Sequence, residues 1–373
     1  MAIRIVAHCA ELSGAVHAFN LRMRAGGSPW GFYVDPEPQW LPKTTGRNVW
    51  REYYVALDDE NAVRGAFALK PQDWWVRGKT CVVTDWQGPF SEGSVNAKYA
   101  TLGLRLIRDM LGKRPLLYSW GHGGNEQPVV QILRKMDWMM HDTPFCLRVL
   151  RPVRFLRRSA FLRGTPLRRA GLDLMAFSGA GFLGLRALHA FQRLRAYRRF
   201  HATAIEVADF GAWADALWER CKNRYVAIAV RDAASMNALA PPTGWPPVTR
   251  IKVERSGEVI GWALVMDTRM QGDVRFGDLR VGSIVDCLAD PADTGEVVAA
   301  ATRFLRRRGV DIIASNQSHP AWARGFAENG YLVLQNRRLF AASPALRQLL
   351  EPFAETAQGL HLTNMDGHGP DGL

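Results

Sequence analysis

Apolar positions along the chain change period several times, and each change marks an element. Residues 9–24 (CAELSGAVHAFNLRMR) place apolar side chains three and four apart, as an amphipathic helix does. Arg51–Asp58 (REYYVALD) and Ala62–Lys70 (AVRGAFALK) are rich in β-branched, aromatic and small apolar residues. They flank the polar cluster Asp58-Asp59-Glu60-Asn61, which predicts an antiparallel hairpin. Trp74–Val76 and Thr80–Asp85 continue as strands. Trp86–Ser91 then reads as a turn before a helix over about Ala97–Leu111, with Tyr99, Leu102, Leu106 and Met110 on one face. A strand at Leu116–Trp120, a glycine-rich turn, a helix over about Gln127–Met136 and a strand at Thr143–Leu150 complete the first half.

The second half repeats this order. A helix over about Phe210–Cys221 precedes strands at Val248–Glu254 and Glu258–Asp267. Then come a strand at Gly282–Leu288, a helix at Gly295–Arg308 and a strand at Val310–Ser315. A helix at Ala321–Asn329 and a strand at Tyr331–Phe340 end the series. Repetition of one element order is an internal repeat, and the strand–helix–strand step implies a parallel crossover inside a mostly antiparallel sheet. The expected architecture is α/β (α+β): two domains at 1–150 and 201–345, each a mixed sheet flanked by helices. A connector at 151–200 and a C-terminal tail at 346–373 complete the chain.

Composition changes this picture in one place. The 373 residues are 47% hydrophobic and 22% charged, which excludes a wholly disordered chain. Five cysteines, none in a CxxC pair, indicate a reducing compartment and small core side chains rather than a disulfide framework. The beginning of the chain has neither the basic head nor the continuous apolar run of a signal peptide, so a cytoplasmic protein is expected. The net charge of +13 is concentrated: Arg151–Arg199 holds twelve arginines, no lysine and one acid, Asp173. Charge gathered in this way calls for an anionic partner surface.

The repeated order resembles the GNAT (N-acetyltransferase) fold. Glu258-Val-Ile-Gly-Trp-Ala-Leu-Val265 is similar to that family's strand bearing vvGxaxl. Ser315–Tyr331 (SNQSHPAWARGFAENGY) is similar to its closing helix and GY strand start. Val63–Leu69 and Asn125–Trp138 are the counterparts in the first half. Tandem copies resemble bacterial exopolysaccharide-cluster acyltransferases and, more distantly, Fem-type aminoacyl transferases. The resemblance implies acyl transfer from acyl-CoA or acetyl-CoA to an amine or hydroxyl, without a metal. The acceptor it implies is a small molecule or a lipid-linked sugar precursor for surface polysaccharide. The Fem-type alternative would take aminoacyl-tRNA as donor, the one nucleic-acid partner in view. A non-catalytic member of a biosynthetic complex is the third reading. Nothing in the sequence specifies an oligomeric state.

Two family features are replaced. The pyrophosphate loop Q/R-x-x-G-x-G/A is absent from both halves, its places being taken by Gly93–Gly103 and Asp290–Glu296. The tyrosine that acts as acid in the family falls on Leu133 and Phe326. Asp290, Asp293 and Glu296 would repel a pyrophosphate and Lys98 would attract one, which makes the first half the better donor-binding candidate.

Acyl transfer needs a base for the nucleophile's proton. Asp85 and Glu92 are carboxylates just after a central strand, or else turn and cap residues. His122, between Gly121 and Gly123, titrates near neutrality, and Asn125 follows it. In the second half Asp286 and Cys287 sit in an apolar strand, where a carboxylate must be paired. Asn316, Ser318 and His319 follow the next strand, as pocket residues or as caps before Pro320. The expected catalytic residues are therefore Glu92, His122, Asp286 and His319, and the expected cosubstrate-binding residues are Lys98, Asn125, Asn316 and Ser318. Two further readings are open: a Cys287–His319 nucleophile pair, and weak ligand character in Asp366, His368 and Asp371. The largest pocket is expected near one of these two groups. Residues 151–199 are expected either to pack between the domains or to make a peripheral contact with the inner face of an anionic membrane, with Phe155, Leu156, Phe161, Phe177 and Phe182 inserting.

Overall fold

The structure is a computed structural model describing residues 3–121, 126–163, 165–177 and 200–370. It divides into two compact units. Unit 1 is Met1–His141 with Leu339–Phe353, and unit 2 is Asp142–Arg338 with Ala354–Leu373. Residues 142–150 of the first repeat thus belong to unit 2, and 339–345 of the second belong to unit 1.

Unit 1 begins with β1 (Arg4–Ala7) and α1 (Ser13–Ala25). It continues through β2 (Glu52–Leu57), β3 (Val63–Val76), β4 (Lys79–Ser91), α2 (Leu102–Lys113), β5 (Leu117–Trp120) and α3 (Pro128–Lys135). β1 to β4 pair antiparallel in chain order. β5 lies parallel to β4, and its other edge takes the run Phe340–Ala342 antiparallel. Two differences from the sequence reading move the site. β3 is a single strand through Pro71, turning into β4 at Arg77-Gly78, where both φ angles are positive (48° and 84°), as two-residue hairpins require. β4 runs on through Trp86–Ser91, still paired with Gly65–Leu69, so that stretch is strand and not turn.

Strand alternation sorts the side chains of unit 1. Phe67, Leu69, Trp86 and Leu117 face α2, meeting Leu102, Leu106, Ile107 and Met110. Ala66 and Ala68 face the other way, against Val16, Phe19 and Met23 of α1. Fully burying an aliphatic side chain of this size stabilises by about 1.5–3 kcal/mol, so the four apolar residues of α2 suffice to hold it on the sheet.

Unit 2 contains β6 (Met139–Val149) from Asp142 onward, then α4 (Pro152–Arg158), α5 (Pro166–Phe177), β7 (Thr203–Val207), α6 (Ala212–Cys221), β8 (Ala227–Ala229) and α7 (Ala233–Leu239). β9 (Thr249–Arg255), β10 (Glu258–Arg269), β11 (Arg280–Ala289), α8 (Thr294–Arg308), β12 (Ile312–Asn316) and α9 (Pro320–Glu328) follow. Next is β13 (Leu332–Ala342), whose end supplies the run in unit 1. α10 (Pro344–Leu350), α11 (Phe353–Thr356) and β14 (Leu360–His361) close the chain. The unit 2 strands are ordered β6-β12-β11-β10-β9-β7, with β11 and β12 parallel and the rest antiparallel. A mixed, mostly antiparallel sheet containing a parallel pair with a helical crossover, expected from the repeat, is thus present in each unit. The C-terminal stretch is not a loose tail: β14 pairs with β8, and Leu362–Asp366 is buried.

Candidate functional site

In each unit the parallel pair separates after a few residues, and the candidate residues flank these two points. In unit 1 the last paired positions of β4 and β5 are Asp85 and Tyr118. Lys70 of β3 lies directly opposite Asp85. Opposed residues share a face, so Lys70, Asp85 and Tyr118 form a row across three strands on the side away from α2. Gln72 and Trp74 continue the β3 face. Lys70, Gln72, Trp74, Asp85 and Tyr118 are all buried. Trp74 packs on Tyr118 with ring centroids 5.1 Å apart, and the Lys70 ammonium lies 5.5 Å from the Trp40 ring. Gln87, next along this face of β4, accepts a hydrogen bond from the Tyr33 hydroxyl at 3.1 Å.

Glu92 lies in a charged network. Its Oε2 accepts from Arg22 Nη2 at 3.1 Å and its Oε1 from Arg64 Nη1 at 3.1 Å. Arg64 also donates to Asp58 Oδ2 at 2.7 Å. Both oxygens are therefore held by a network joining α1, β3 and the β2–β3 turn. Lys98 is exposed in the turn Ala97–Tyr99, its ammonium 5.6 Å from the Tyr99 ring. α2 begins three residues after Tyr99. Its N-cap Thr101 makes no side-chain capping bond, and its first turn holds no acid. A side chain at Gly103 would meet nothing nearer than Pro89 Cγ at 3.8 Å. His122 and Asn125 lie outside the described residues.

The start of α8 in unit 2 is the opposite. Glu296 occupies its first turn and accepts from the Ala202 N–H at 3.0 Å. Asp293 is paired with Arg255 at 2.7 Å and Asp290 with Arg224 at 3.1 Å. A Cβ on Gly295 would lie 2.8 Å from the Phe200 ring, so the helix start is sealed as well as acidic.

Asp286, the buried carboxylate of β11, is paired as its burial demands. Arg231 Nε stands 3.0 Å from Asp286 Oδ2, in ion-pair range though not aligned as a hydrogen bond, and Arg231 Nη2 donates to Asp366 Oδ1 at 2.6 Å. All three side chains are fully buried. Burial raises the Asp286 pKa to about 7, with Arg231 opposing and Asp366 reinforcing the shift. Asp366, faintly ligand-like in sequence, is thus the second anion of this triad. No group of three or more metal-ligating side chains occurs among the described residues.

His319 caps α9: its Nδ1 accepts from the Ala321 N–H at 3.1 Å. Burial, with Arg324 nearby, lowers its pKa to about 4, so the ring is neutral at pH 7. Ser318 donates to the Leu360 carbonyl at 2.7 Å and accepts from the Leu362 N–H at 2.8 Å. Asn316 donates to the Pro144 carbonyl at 3.3 Å. Burial raises the Cys287 thiol well above its ordinary range, which removes the thiolate a nucleophile pair would need. Asp286, Asn316, Ser318 and His319 therefore do gather where β11 and β12 part, but the gap is filled. Hollows of about 310 and 150 Å³ open elsewhere. One is lined by Asp137, Pro344, Arg347, Gln348 and Glu351, the other by Val82, Thr84 and Lys113–Leu116.

Arg231, His361 and Lys70 went unnoticed in the sequence. The usable signals were a lone arginine ending the apolar run Tyr225–Val230 and a lysine ending the apolar run of β3.

The sequence matches no protein-family model and no curated protein. Solved structures do resemble it. Saccharomyces cerevisiae N-myristoyltransferase with bound myristoyl-CoA superposes at a TM-score of 0.53 and 11% identity, over 92% of this chain and 78% of the other. A probable N-acyltransferase of Enterococcus faecalis V583 gives 0.50 and 11%, over 94% and 75%. The GCN5-related glucosamine N-acetyltransferase region of a fungal multi-domain β-N-acetylglucosaminidase gives 0.50 and 12%, over 91% and 38%. With a parallel strand pair inside a mixed sheet in each unit, and these neighbours spanning nine-tenths of the chain, the protein has the GNAT fold.

Proposed function

We propose that this chain is an acyltransferase whose donor, an acyl-CoA, is held by unit 1. The observation that carries the proposal is the asymmetry between the two strand gaps. The unit 1 helix start is uncapped, free of acid and preceded by Lys98, and its strand gap lies beside a row of buried polar side chains. The unit 2 helix start is acidic and covered. Backbone N–H groups at a helix start suit a pyrophosphate, and the first arrangement leaves them to it. The thioester supplies the activated acyl group. In this reading Asp85 accepts the proton that the acceptor's amine or hydroxyl loses as it attacks the carbonyl, and Lys70, opposite, offsets the charge of Asp85. By resemblance, the acceptor is a sugar or lipid-linked precursor of surface polysaccharide.

Calorimetry with coenzyme A and acetyl-CoA tests the donor. Saturable binding is expected, and Lys98→Glu weakens it by on the order of tenfold, since it reverses a charge near the phosphates. Absence of any binding heat or thermal shift with either compound sinks the donor assignment.

The same reading places the protein at an anionic membrane surface, where a lipid-linked acceptor is found. No described helix is long and apolar enough to cross a membrane. Of the apolar residues expected to insert, Phe155 and Leu156 are buried and Phe182 lies outside the described residues, while Leu167, Leu174 and Met175 on α5 are 85%, 69% and 44% exposed. Their positions share one helix face, beside the exposed Arg168. Each arginine near such a surface contributes about 1 kcal/mol. Co-sedimentation with phosphatidylglycerol vesicles at low salt is expected, with loss at high salt and none with neutral lipid. Recovery in the supernatant with both lipids rejects the contact.

A further inference from the structure

β11 and β12 pair from Val281–Ile312 to Ile284–Ser315 and then part. Parting parallel strands leave backbone groups unpaired on their inner edges, and in a buried place something must satisfy them. In unit 2 the partner is the chain's own C-terminal segment. On the β11 side, His361 Nε2 donates to the Cys287 carbonyl at 3.0 Å. On the β12 side, the Ser318 N–H donates to the Leu362 carbonyl at 3.1 Å, and the Ser318 hydroxyl bonds both the Leu360 carbonyl and the Leu362 N–H. The His361 ring stacks on Trp322 at 5.7 Å and 20°, and lies 5.2 Å from Tyr225. One turn further on, Asp366 meets Arg231, while its second oxygen accepts from the Thr363 N–H at 2.8 Å, closing a capping box. Leu360 through Asp366 are buried without exception.

We infer that Leu360–Asp366 is a built-in occupant of the unit 2 strand gap, using the backbone positions a cosubstrate would otherwise use and closing this unit to donor molecules. The inference adds to the donor assignment in unit 1 and does not need it. An extended segment that hydrogen-bonds both strand edges, buries two aromatic contacts and carries a charged anchor is a permanent part of unit 2. It opens only when the unit unfolds, because its anchor cannot leave Arg231 without leaving a buried charge unpaired.

Hydrogen exchange of the full chain, followed by mass spectrometry with and without coenzyme A, tests this. The amides of Ser318, Leu362, Thr363 and Met365 are expected to exchange as slowly as those of the central strands β10 and β11, in both conditions. Ser318→Ala, which removes two bonds to the segment, is expected to speed exchange of Leu362 and of β10 alike, by roughly tenfold, because the segment opens only with the unit. Exchange at 360–366 that is about 100-fold faster than in β10 of the unaltered protein overturns the inference, since the segment then leaves its place on its own. A change in protection at 360–366 on adding coenzyme A overturns it too. If coenzyme A alters no amide anywhere, the unit 1 donor assignment fails, while slow exchange at 360–366 still upholds the occupant.

Discussion

Asp85→Asn is expected to slow acyl transfer by about 100-fold or more while leaving coenzyme A binding near its original strength. A positioned general base contributes about 10²–10⁴ in rate, and asparagine keeps the shape of aspartate but cannot take a proton. Asp85 stands at the last paired residue of the parallel strands, with Lys70 opposite and Tyr118 beside it. It is 1% exposed, so its effect cannot be attributed to a solvated turn. Glu92→Gln provides the contrast. It weakens the charged contacts to Arg22 and Arg64 and is expected to lower stability by about 1–3 kcal/mol, with turnover at low temperature within about threefold of the original. Thiol release from acetyl-CoA against a panel of amino-sugar acceptors measures the rates, and calorimetry measures donor binding. If Asp85→Asn matches the unaltered protein, or if rate and donor binding fall together, Asp85 is a structural residue. If Glu92→Gln loses turnover with its melting temperature intact, the base has been misplaced.

The contrast between these two carboxylates shows what the sequence could convey. The repeat, the hairpins and the parallel crossover were legible because they rest on local periods: two for β10, about three and a half for α2 and α8. Glu92 and Asp85 looked alike in sequence, both following a strand and both near glycine. They were separated by the length of β4, which runs through Trp86–Ser91 because Gly65–Leu69 of β3 pairs with it. That pairing is long-range, and it carries Glu92 out to the arginines of α1 and β3 while leaving Asp85 at the strand gap. Likewise Ser318 and His319 were recognisable as polar residues before Pro320. The identity of what Ser318 bonds, a strand beginning 42 residues later, was not. The C-terminal stretch read as a tail because its glycines and polar residues suit a loop. Its burial comes from β8 and β11, which no local pattern reveals.

The burial of Asp286 in an apolar strand did announce a missing cation, and the cation proved to be Arg231, which also holds Asp366, 135 positions further along. Removing it is expected to be the most destabilising single change in unit 2. Arg231→Met keeps the length and apolar body of the side chain but leaves two carboxylates in a site without solvent. Breaking a buried ion pair from one side costs about 3–5 kcal/mol. The pH dependence gives the mechanism a signature. Burial and Asp366 already hold the Asp286 pKa at about 7 against the pull of Arg231, and without that pull Asp286 shifts further up. A carboxyl whose folded pKa lies above its unfolded value favours the folded state fully only below the unfolded value. That contribution is lost as pH rises toward the folded one. The deficit of Arg231→Met is therefore expected to be largest at pH 7 to 8 and to shrink toward pH 5. Combining it with Asp286→Asn and Asp366→Asn, so that no charge remains buried, is expected to recover most of the loss. Chemical denaturation at several pH values reads all three outcomes. A deficit that is absent at pH 7.5, that grows on acidification, or that the added asparagines do not relieve would show that Arg231 holds unit 2 together by packing rather than by charge.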